Sequence, residues 1–128
     1  MSITLAIPLL KKAPFGKIIT ITSDMGSLGL ATDPTSMFSK IIAFLYQASK
    51  TALNAMVVSY SKELKDTNIT SNAVNPGMTA TDLMDKKAFE ANGAKTVEQG
   101  AARAIELALD PKNELNGTFT SDQGPEPW

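Results

Sequence analysis

The stretch Lys17–Thr22, KIITIT, consists mostly of β-branched residues and lies between two segments rich in turn-forming residues. Residues 13–16 (APFG) precede it, and Ser23 follows it at the start of a loop that contains Gly26 and Gly29. β-Branched side chains fit the pleated surface of a sheet, and the flanking turns limit the run to the length of one strand. The sequence therefore predicts a β-strand at Lys17–Thr22, covered on both faces.

The segments on either side of this strand have helical periodicity. Ile3, Ile7 and Leu10 recur at helical spacing and predict the last turns of an amphipathic helix within residues 3–12. Residues 39–65 carry a long helical pattern, which predicts a helix buried on more than one side, against a sheet and against a partner subunit. Its apolar side is formed by Ile42, Leu45, Ala48, Ala52, Ala55, Met56, Ser59 and Leu64.

The second half of the chain continues the alternation. Asn68–Asn75 and Gly117–Ser121 predict two further strands. Between them, Asp82–Glu90 has the pattern of a short helix, and residues 96–99 (TVEQ) have the spacing of a capping box that opens another helix. Residues 124–128 (GPEPW) predict an irregular tail.

An order of strand, long helix, strand, helices and strand is typical of α/β domains with a parallel sheet and right-handed crossovers. We therefore expect one α/β domain with about three strands and flanking helices. Ligands of such sheets bind beyond the carboxyl ends of the strands. Ser23, Pro76-Gly77 and residues 122–124 each follow a strand, so their loops should open at one edge of the sheet.

The composition excludes several classes of function. The chain has 128 residues, no cysteine, no histidine and a formal net charge of −1. Disulfide frameworks, thiol nucleophiles, Ser-His-Asp triads and zinc sites built on Cys or His are therefore impossible, and we predict no metal site. The scattered lysines and arginines argue against nucleic acid or an anionic membrane as a partner. No apolar run approaches the ~20 residues that span a bilayer, and no secretory signal is recognised, so we expect a cytoplasmic protein.

Tyr46 and Lys50 stand out among the residue types that remain for acid–base chemistry. They are four residues apart in the predicted long helix and therefore lie on one face, one turn apart. A nearby ammonium group favours the ionised form of a phenol, which helps a phenol to exchange protons near neutral pH. Residues 46–50 (YQASK) are therefore a candidate acid–base site.

Three motifs, in this order, resemble the catalytic half of the short-chain dehydrogenase/reductase family. They are a serine loop at residues 21–26 (ITSDMG), a Tyr-Lys helix at residues 46–53 (YQASKTAL) and a turn at residues 75–81 (NPGMTAT). Each motif is common alone, but the combination is specific, and the resemblance covers essentially all of residues 1–128. It implies the C-terminal part of a Rossmann-fold domain, with a partial doubly wound parallel sheet.

The resemblance implies hydride transfer between a nicotinamide cofactor and a small carbonyl or alcohol substrate. Tyr46 would exchange a proton with the substrate oxygen, Lys50 would bind the nicotinamide ribose, and Ser23 would hold the substrate oxygen against Tyr46. The cofactor-binding residues implied by the resemblance are Tyr46, Lys50, Pro76, Gly77, Thr79 and Thr81. The positions of the family's variable substrate lid are Leu83, Met84 and Phe89. Family homodimers further imply a homo-oligomer through the 39–65 helix.

The sequence also departs from the family pattern. It has no Gly-rich turn after a first strand to hold the cofactor pyrophosphate, and it lacks the residues that select between NAD and NADP, so the cofactor is NADP or NAD. The interval from Ser23 to Tyr46 is longer than the family's commonest one, which predicts an insertion. Three hypotheses remain: a carbonyl-reducing oxidoreductase, an inactive binding or dimerisation module, and part of an enzyme whose other part is encoded upstream.

Overall fold

The computed structural model describes residues 3–83, 86–112 and 114–128. Its helices and strands follow one another as α1 (Ile3–Leu10), β1 (Gly16–Ile21), α2 (Leu28–Thr32), α3 (Phe44–Glu63), β2 (Ile69–Val74), α4 (Lys86–Ala91), α5 (Val97–Leu109), β3 (Phe119–Ser121) and β4 (Gly124–Pro125). Two short 3-10 helices, Asp24–Gly26 and Met37–Lys40, lie between β1 and α3.

The strands form one sheet in the order β1-β2-β3-β4. β1 runs parallel to β2, from Gly16 opposite Ile69 to Ile21 opposite Val74, and β3 also runs parallel to β2. The α/β fold class is thereby confirmed. β4 is antiparallel to β3, so the prediction of an irregular tail is wrong at Gly124–Pro125. A strand of two residues is too short to produce a recognisable sequence pattern.

The apolar core lies between the sheet and the helices α1 and α3. One buried cluster consists of Ile18, Leu64 and Ile69, against which side chains of α1 pack. A second cluster joins α3 to the middle of the sheet through Val57, Ala73 and Phe119. β1 is less completely covered than predicted, because Ile21 at its carboxyl end is 46% exposed, whereas Ile18 is 6% exposed. β1 is an edge strand in the described sheet.

The long helix is shorter than predicted and turns a different face to the sheet. It begins at Phe44, because the preceding residues form a separate 3-10 helix that the Ser36 hydroxyl caps. Asn54, Val57 and Ser61 are its buried residues, whereas Leu45 on the predicted face is 81% exposed. Within the described chain the helix is thus buried on its sheet-facing side, and burial against a partner subunit stays a prediction. An apolar period identifies a face, but it does not say which face meets the sheet.

Several element boundaries also differ from the prediction. The loop after β1 contains α2, whose first turn is capped by Ser27. α4 begins at Lys86 instead of Asp82, since residues 82–83 form a turn. β3 begins at Phe119 rather than Gly117, where the φ angle of +70° is outside the range of a strand.

The capping box at the start of α5 is confirmed. The Thr96 hydroxyl accepts the Gln99 N–H at 3.3 Å, and the Gln99 side chain accepts the Thr96 N–H at 2.8 Å. Each residue thus satisfies a backbone donor that the helix itself leaves without a partner. Among the helices that the structure describes, none is long and apolar enough to cross a membrane.

Candidate functional site

Ser23 lies just beyond the carboxyl end of β1 and begins the 3-10 helix Asp24–Gly26. Its hydroxyl donates to the Asp24 carboxylate at 2.9 Å and accepts the Met25 N–H at 3.2 Å. The Asp24 carboxylate accepts the same N–H at 2.8 Å. Ser23 is only 9% exposed. Its hydroxyl is thus fixed by hydrogen bonds within its own loop, at the carboxyl end of β1.

Gly26 joins this loop to α3 at Lys50. A Cβ atom added to Gly26 would lie 2.8 Å from both the carbonyl carbon and the Cβ of Lys50. The Gly26 carbonyl accepts hydrogen bonds from Thr51 Oγ1 at 3.0 Å and from Asn54 Nδ2 at 3.1 Å. Only a residue without a side chain allows so close an approach. The serine loop and the turn of α3 that contains Lys50 are therefore fixed against each other.

A buried hydrogen bond supports the same junction. The Thr22 hydroxyl donates to Asn54 Oδ1 at 2.7 Å, and Thr22 and Asn54 are 2% and 4% exposed. The same hydroxyl lies 3.3 Å from the Lys50 carbonyl. Sequence reasoning missed Asn54. A polar residue on the sheet-facing side of a helix is a signal that could have found it, once that side is known.

The Lys50 ammonium lies between the end of β1 and the Tyr46 phenol. Its Nζ is 5.7 Å from the centroid of the Tyr46 ring and 3.4 Å from the Ile21 carbonyl oxygen. Tyr46 is 47% exposed. Tyr46 and Lys50 therefore lie on one face of α3, as predicted. The Tyr46 side chain is exposed to solvent, and Lys50 is half-buried.

The turn after β2 leaves the sheet beside the serine loop. β1 and β2 are in register up to Ile21 and Val74, and the Thr22 N–H donates to the Val74 carbonyl at 2.8 Å. Asn75 then holds the turn, because its side-chain oxygen accepts the Gly77 N–H at 3.0 Å. Gly77 has a φ of +70°, which favours glycine.

Thr79 and Thr81 line the rest of this turn. The Thr79 hydroxyl donates to the Gly77 carbonyl at 3.2 Å, and Gly100 of α5 packs so closely on Thr79 that no Cβ fits there. The Thr81 hydroxyl accepts the Leu83 N–H at 3.4 Å. The structure therefore places the predicted cofactor residues Pro76, Gly77, Thr79 and Thr81 in one turn, at the strand end next to Ser23.

Of the predicted substrate residues, the structure describes Leu83 and Phe89. Leu83 is 88% exposed, and Phe89 is half-buried on α4. Met84 lies outside the described residues. No cluster of Asp, Glu, His or Cys that could hold a metal ion occurs within the described part of the chain.

Sequence reasoning also missed Lys95, whose ammonium reaches the Pro76–Thr81 turn. Lys95 Nζ donates to the Pro76 carbonyl at 3.2 Å and to the Asp122 carboxylate at 2.7 Å. Asp122 was expected at this edge because it follows β3, but no sequence pattern connects it with Lys95.

A family model for short chain dehydrogenase matches residues 1–92. The short-chain dehydrogenase anuI of Penicillium roqueforti is 31% identical over 123 residues, and the match covers 91% of this chain and 46% of that protein. The solved structure of the carbonyl reductase Sniffer of D. melanogaster has a TM-score of 0.71 and is 25% identical, with 98% of this chain and 50% of that chain covered.

The active-site complex of Pseudomonas aeruginosa RhlG with NADP has a TM-score of 0.72 and is 26% identical, with 94% of this chain and 51% of that chain covered. The chain thus spans about half the length of these relatives. The family model covers most of the chain, and the serine loop, the Tyr-Lys helix and the Asn75–Thr81 turn meet at one edge of the sheet. The chain therefore belongs to the short-chain dehydrogenase family, and the resemblance stated from its motifs is confirmed.

Proposed function

We propose that the chain is the C-terminal, catalytic part of a nicotinamide-dependent oxidoreductase that interconverts a carbonyl compound and an alcohol. The observation that carries this proposal is the junction between the serine loop and α3. Gly26 packs on the backbone of Lys50, and the Lys50 ammonium lies over the ring of Tyr46. A hydroxyl, an ammonium group and a phenol are therefore carried by two segments in direct contact at the carboxyl end of β1.

Tyr46 is the proton donor in the proposed reduction. When bound, a reduced nicotinamide supplies the hydride that adds to the carbonyl carbon. The Tyr46 hydroxyl gives its proton to the carbonyl oxygen, which leaves an alcohol and a phenolate. The phenolate regains a proton before the next turnover. The exposure of Tyr46 allows a substrate oxygen to reach its hydroxyl, and a general acid of this kind contributes about 10²–10⁴ to the rate.

Lys50 stabilises the phenolate and holds the cofactor in this proposal. Its ammonium lies 5.7 Å from the centroid of the Tyr46 ring, where it would attract the phenolate that proton transfer leaves. Among the described residues its ammonium makes one long hydrogen bond, to the Ile21 carbonyl at 3.4 Å. An ammonium group has three donors, so donors remain for the nicotinamide ribose hydroxyls, and this donor set fits a nicotinamide cofactor.

Ser23 orients the substrate oxygen in this proposal. Its hydroxyl now donates to Asp24, and a hydroxyl has a single proton to donate. Binding of a substrate carbonyl therefore requires the Ser23 O–H to rotate away from Asp24, while its lone pair can keep the Met25 N–H. The exchange of one acceptor for another leaves the number of hydrogen bonds unchanged.

The Pro76–Thr81 turn is the proposed site of the nicotinamide carboxamide, and its neighbouring strand end brings it beside Ser23. The cofactor is NADP or NAD. Leu83 and Phe89 are the proposed apolar substrate contacts beyond this turn.

We further propose a cytoplasmic location, which the lack of cysteine supports. Cell fractionation tests it, and recovery in a secreted fraction would contradict it.

The catalytic proposal is tested with Tyr46→Phe and with Tyr60→Phe as its matched control. Tyr60 is on the same helix, but its hydroxyl is paired with Thr4 Oγ1 at 3.0 Å. NADPH and NADH are titrated against the purified chain, and cofactor oxidation is followed with a panel of aldehydes and ketones. We expect Tyr46→Phe to lose at least about 100-fold in rate and Tyr60→Phe to keep it. Equal rates in both variants, or no turnover by the wild-type chain, would reject this function for the chain.

The second candidate is a binding or dimerisation module, and exposed apolar residues favour it. Phe44 and Leu45 at the start of α3 are 76% and 81% exposed, and Leu5 and Leu9 of α1 are 69% and 66% exposed. Phe44 and Leu45 are adjacent in the chain, and large exposed apolar patches mark interaction sites. We propose that α3 supplies the contact in a homo-oligomer.

Sedimentation velocity of the wild-type chain and of Leu45→Glu tests the module. A charge on the contact should dissociate the oligomer, whereas Leu109→Glu, at a residue that is 76% exposed on α5, should leave it intact. A monomeric wild-type chain at every concentration would reject the homo-oligomer. Cofactor turnover in the same samples would show that the oxidoreductase is the function.

A further inference from the structure

The turn Asn75–Thr81, which the proposed function assigns to the nicotinamide and is called the cofactor turn below, is contacted by Lys95, a residue from a later part of the chain. Asn75–Thr79 has no regular secondary structure, and within it the Gly77 N–H bonds to the Asn75 side chain and the Thr79 hydroxyl bonds to the Gly77 carbonyl. These bonds lie within the turn itself. They shape it, but they do not fix it to the rest of the site.

Lys95 attaches the turn with both its backbone and its side chain, in addition to the Asn75 N–H bond to the Thr120 carbonyl at 2.9 Å and the contact of Gly100 with Thr79. Its N–H donates to the Met78 carbonyl at 2.9 Å, and its carbonyl accepts the Ala80 N–H at 2.9 Å. Its ammonium reaches back along the turn to the Pro76 carbonyl at 3.2 Å. Lys95 therefore contacts the turn both at Pro76 and at Met78–Ala80.

The same ammonium is anchored to the sheet through Asp122. The Lys95–Asp122 ion pair is 2.7 Å long, and the two side chains are 28% and 35% exposed. Asp122 occupies the turn between β3 and β4. The cation is thus shared between a carbonyl of the cofactor turn and a carboxylate at the end of the next strand, and it couples the two loops at the carboxyl edge of the sheet.

Gly77 leaves the space in which this ammonium lies. A Cβ added to Gly77 would be 2.9 Å from Lys95 Nζ. Glycine is therefore favoured at position 77 for two reasons. It adopts the φ of +70° without strain, and it leaves room for the Lys95 side chain. An exposed ion pair alone contributes little to global stability, so the location of this one, over the turn, indicates a local role.

We infer that Lys95 is a positioning residue, which together with Asp122 holds the Pro76–Thr79 turn in the conformation that receives the nicotinamide. The inference rests on the proposed function for the nicotinamide, but the effect of Lys95 on the turn can be measured without any cofactor. Lys95 touches neither the substrate nor the reacting atoms in this account. It acts through the Pro76 carbonyl and through the Met78–Ala80 backbone.

Amide hydrogen exchange of the full chain tests the effect on the turn. The variants are Lys95→Met, Asp122→Asn and Lys95→Arg, with Lys65→Met as the control, an exposed lysine after α3. We expect the Gly77 and Ala80 amides to exchange about tenfold faster in Lys95→Met and Asp122→Asn, with the β2 amides unchanged. Lys95→Arg, which keeps the charge, should restore most of the protection, and Lys65→Met should have no effect.

Nicotinamide mononucleotide, titrated by NMR, tests the effect on binding. We expect Lys95→Met to bind it about tenfold more weakly than wild type and Lys95→Arg to recover most of that affinity. Unchanged exchange at Gly77 and Ala80 would overturn the inference, as would equal affinity in wild type and Lys95→Met. If the wild-type chain binds no mononucleotide, the proposed function fails, and the exchange measurement alone decides the role of Lys95. Asp122→Asn serves if Lys95→Met does not fold.

Discussion

Gly26 and Lys50 lie so close together that the serine loop and the Tyr-Lys helix form one rigid junction. A Cβ on Gly26 would be 2.8 Å from the Lys50 carbonyl carbon, a distance at which one of the two segments must move. The contacted atoms are the carbonyl group and the Cβ of Lys50, which α3 fixes in place and which cannot rotate away as the end of a flexible side chain can. The spacing of Ser23 and Tyr46 therefore depends on the absence of a side chain at Gly26.

Gly26→Ala should destabilise the chain and displace the serine loop. Overpacking by one methyl group in such a contact costs about 1–3 kcal/mol. The φ of Gly26 is not positive, so alanine adds no backbone strain and the loss reports the close contact. Urea unfolding followed by circular dichroism measures the loss. Gly93→Ala is the control for space, since no atom lies within 4 Å of its added Cβ, although its φ of +79° adds backbone strain. A Gly26→Ala chain as stable as the wild type would contradict the rigid junction.

Asn54→Ala should cost more stability than an ordinary helix substitution. The change leaves the buried Thr22 hydroxyl and the Gly26 carbonyl without the bonds that they make to Asn54. The Thr22 hydroxyl keeps the Lys50 carbonyl and the Gly26 carbonyl keeps the Thr51 hydroxyl, so the expected loss is that of two hydrogen bonds, about 0.5–1.5 kcal/mol each. The free energy of unfolding measures it, and Asn92→Ala, which removes an exposed bond to the Ala88 carbonyl, is the matched control. Equal losses in the two variants would show that the buried bonds contribute nothing special.

A double-mutant cycle with Thr22→Val isolates the bond itself. If the Thr22–Asn54 bond is the source of the loss, the double variant should lose less than the sum of the two single losses. Strict additivity would place the cost in packing around Asn54 and not in the hydrogen bond.

The parallel α/β sheet and the strand-end loops could be predicted because they depend on local patterns. The β-branched run at Lys17–Thr22 needs only its own residues to be recognised, and the alternation of strands and helices then places Ser23 and Pro76-Gly77 at one edge. The capping box at Thr96 is equally local. Each of these features can be recognised from the hydrophobic periodicity and the turn or capping residues of a short stretch of sequence.

The face of α3 and the role of Lys95 could not be predicted, because each depends on distant contacts. Leu45 and Asn54 belong to different faces of one helix, and only the packing of the sheet decides that polar Asn54 is buried and apolar Leu45 is exposed. Lys95 meets Asp122 across 27 positions of the chain. Nothing in either residue's local sequence specifies that pairing.

Lys95→Met should raise the pKa of Asp122 toward its ordinary value. The hydrogen bond from the Lys95 ammonium is the main reason why the Asp122 pKa lies below the usual 3.8. A carboxyl whose pKa is lowered by folding stabilises the folded state above its ordinary pKa, and this contribution is lost as the pH falls below 3.8 toward the lowered value. Acid should therefore weaken the wild-type chain more than Lys95→Met in this range.

An NMR titration of the side-chain carboxyl carbons measures this pKa directly. Asp33 provides the control, because its pKa is lowered by hydrogen bonds from the Thr35 hydroxyl and N–H instead. We expect Asp122 to shift upward in Lys95→Met and Asp33 to stay in place. An unchanged Asp122 pKa would mean that the ion pair is not maintained in solution.

Trp128→Ala should loosen α2, which follows the serine loop. The Trp128 ring stacks on Phe119 with centroids 5.5 Å apart, and the Trp128 carbonyl accepts the Gly29 N–H of α2 at 2.7 Å. The tail therefore connects the β3 core residue to the segment that follows Ser23. An aromatic pair contributes about 0.5–1.5 kcal/mol beyond its burial, and loss of a large aromatic side chain in contact with a core residue raises the total to about 2–3 kcal/mol.

Trp128→Phe keeps an aromatic ring at this position and serves as the matched control. Urea unfolding followed by circular dichroism should show a loss below about 1.5 kcal/mol for Trp128→Phe and the larger loss for Trp128→Ala. Faster amide exchange at Gly29 in Trp128→Ala, but not in Trp128→Phe, would show that the ring holds the backbone bond in place. Equal stability of the two variants would mean that the tail rests on Phe119 without fixing the loop, and the serine loop would then be held by its contacts with α3.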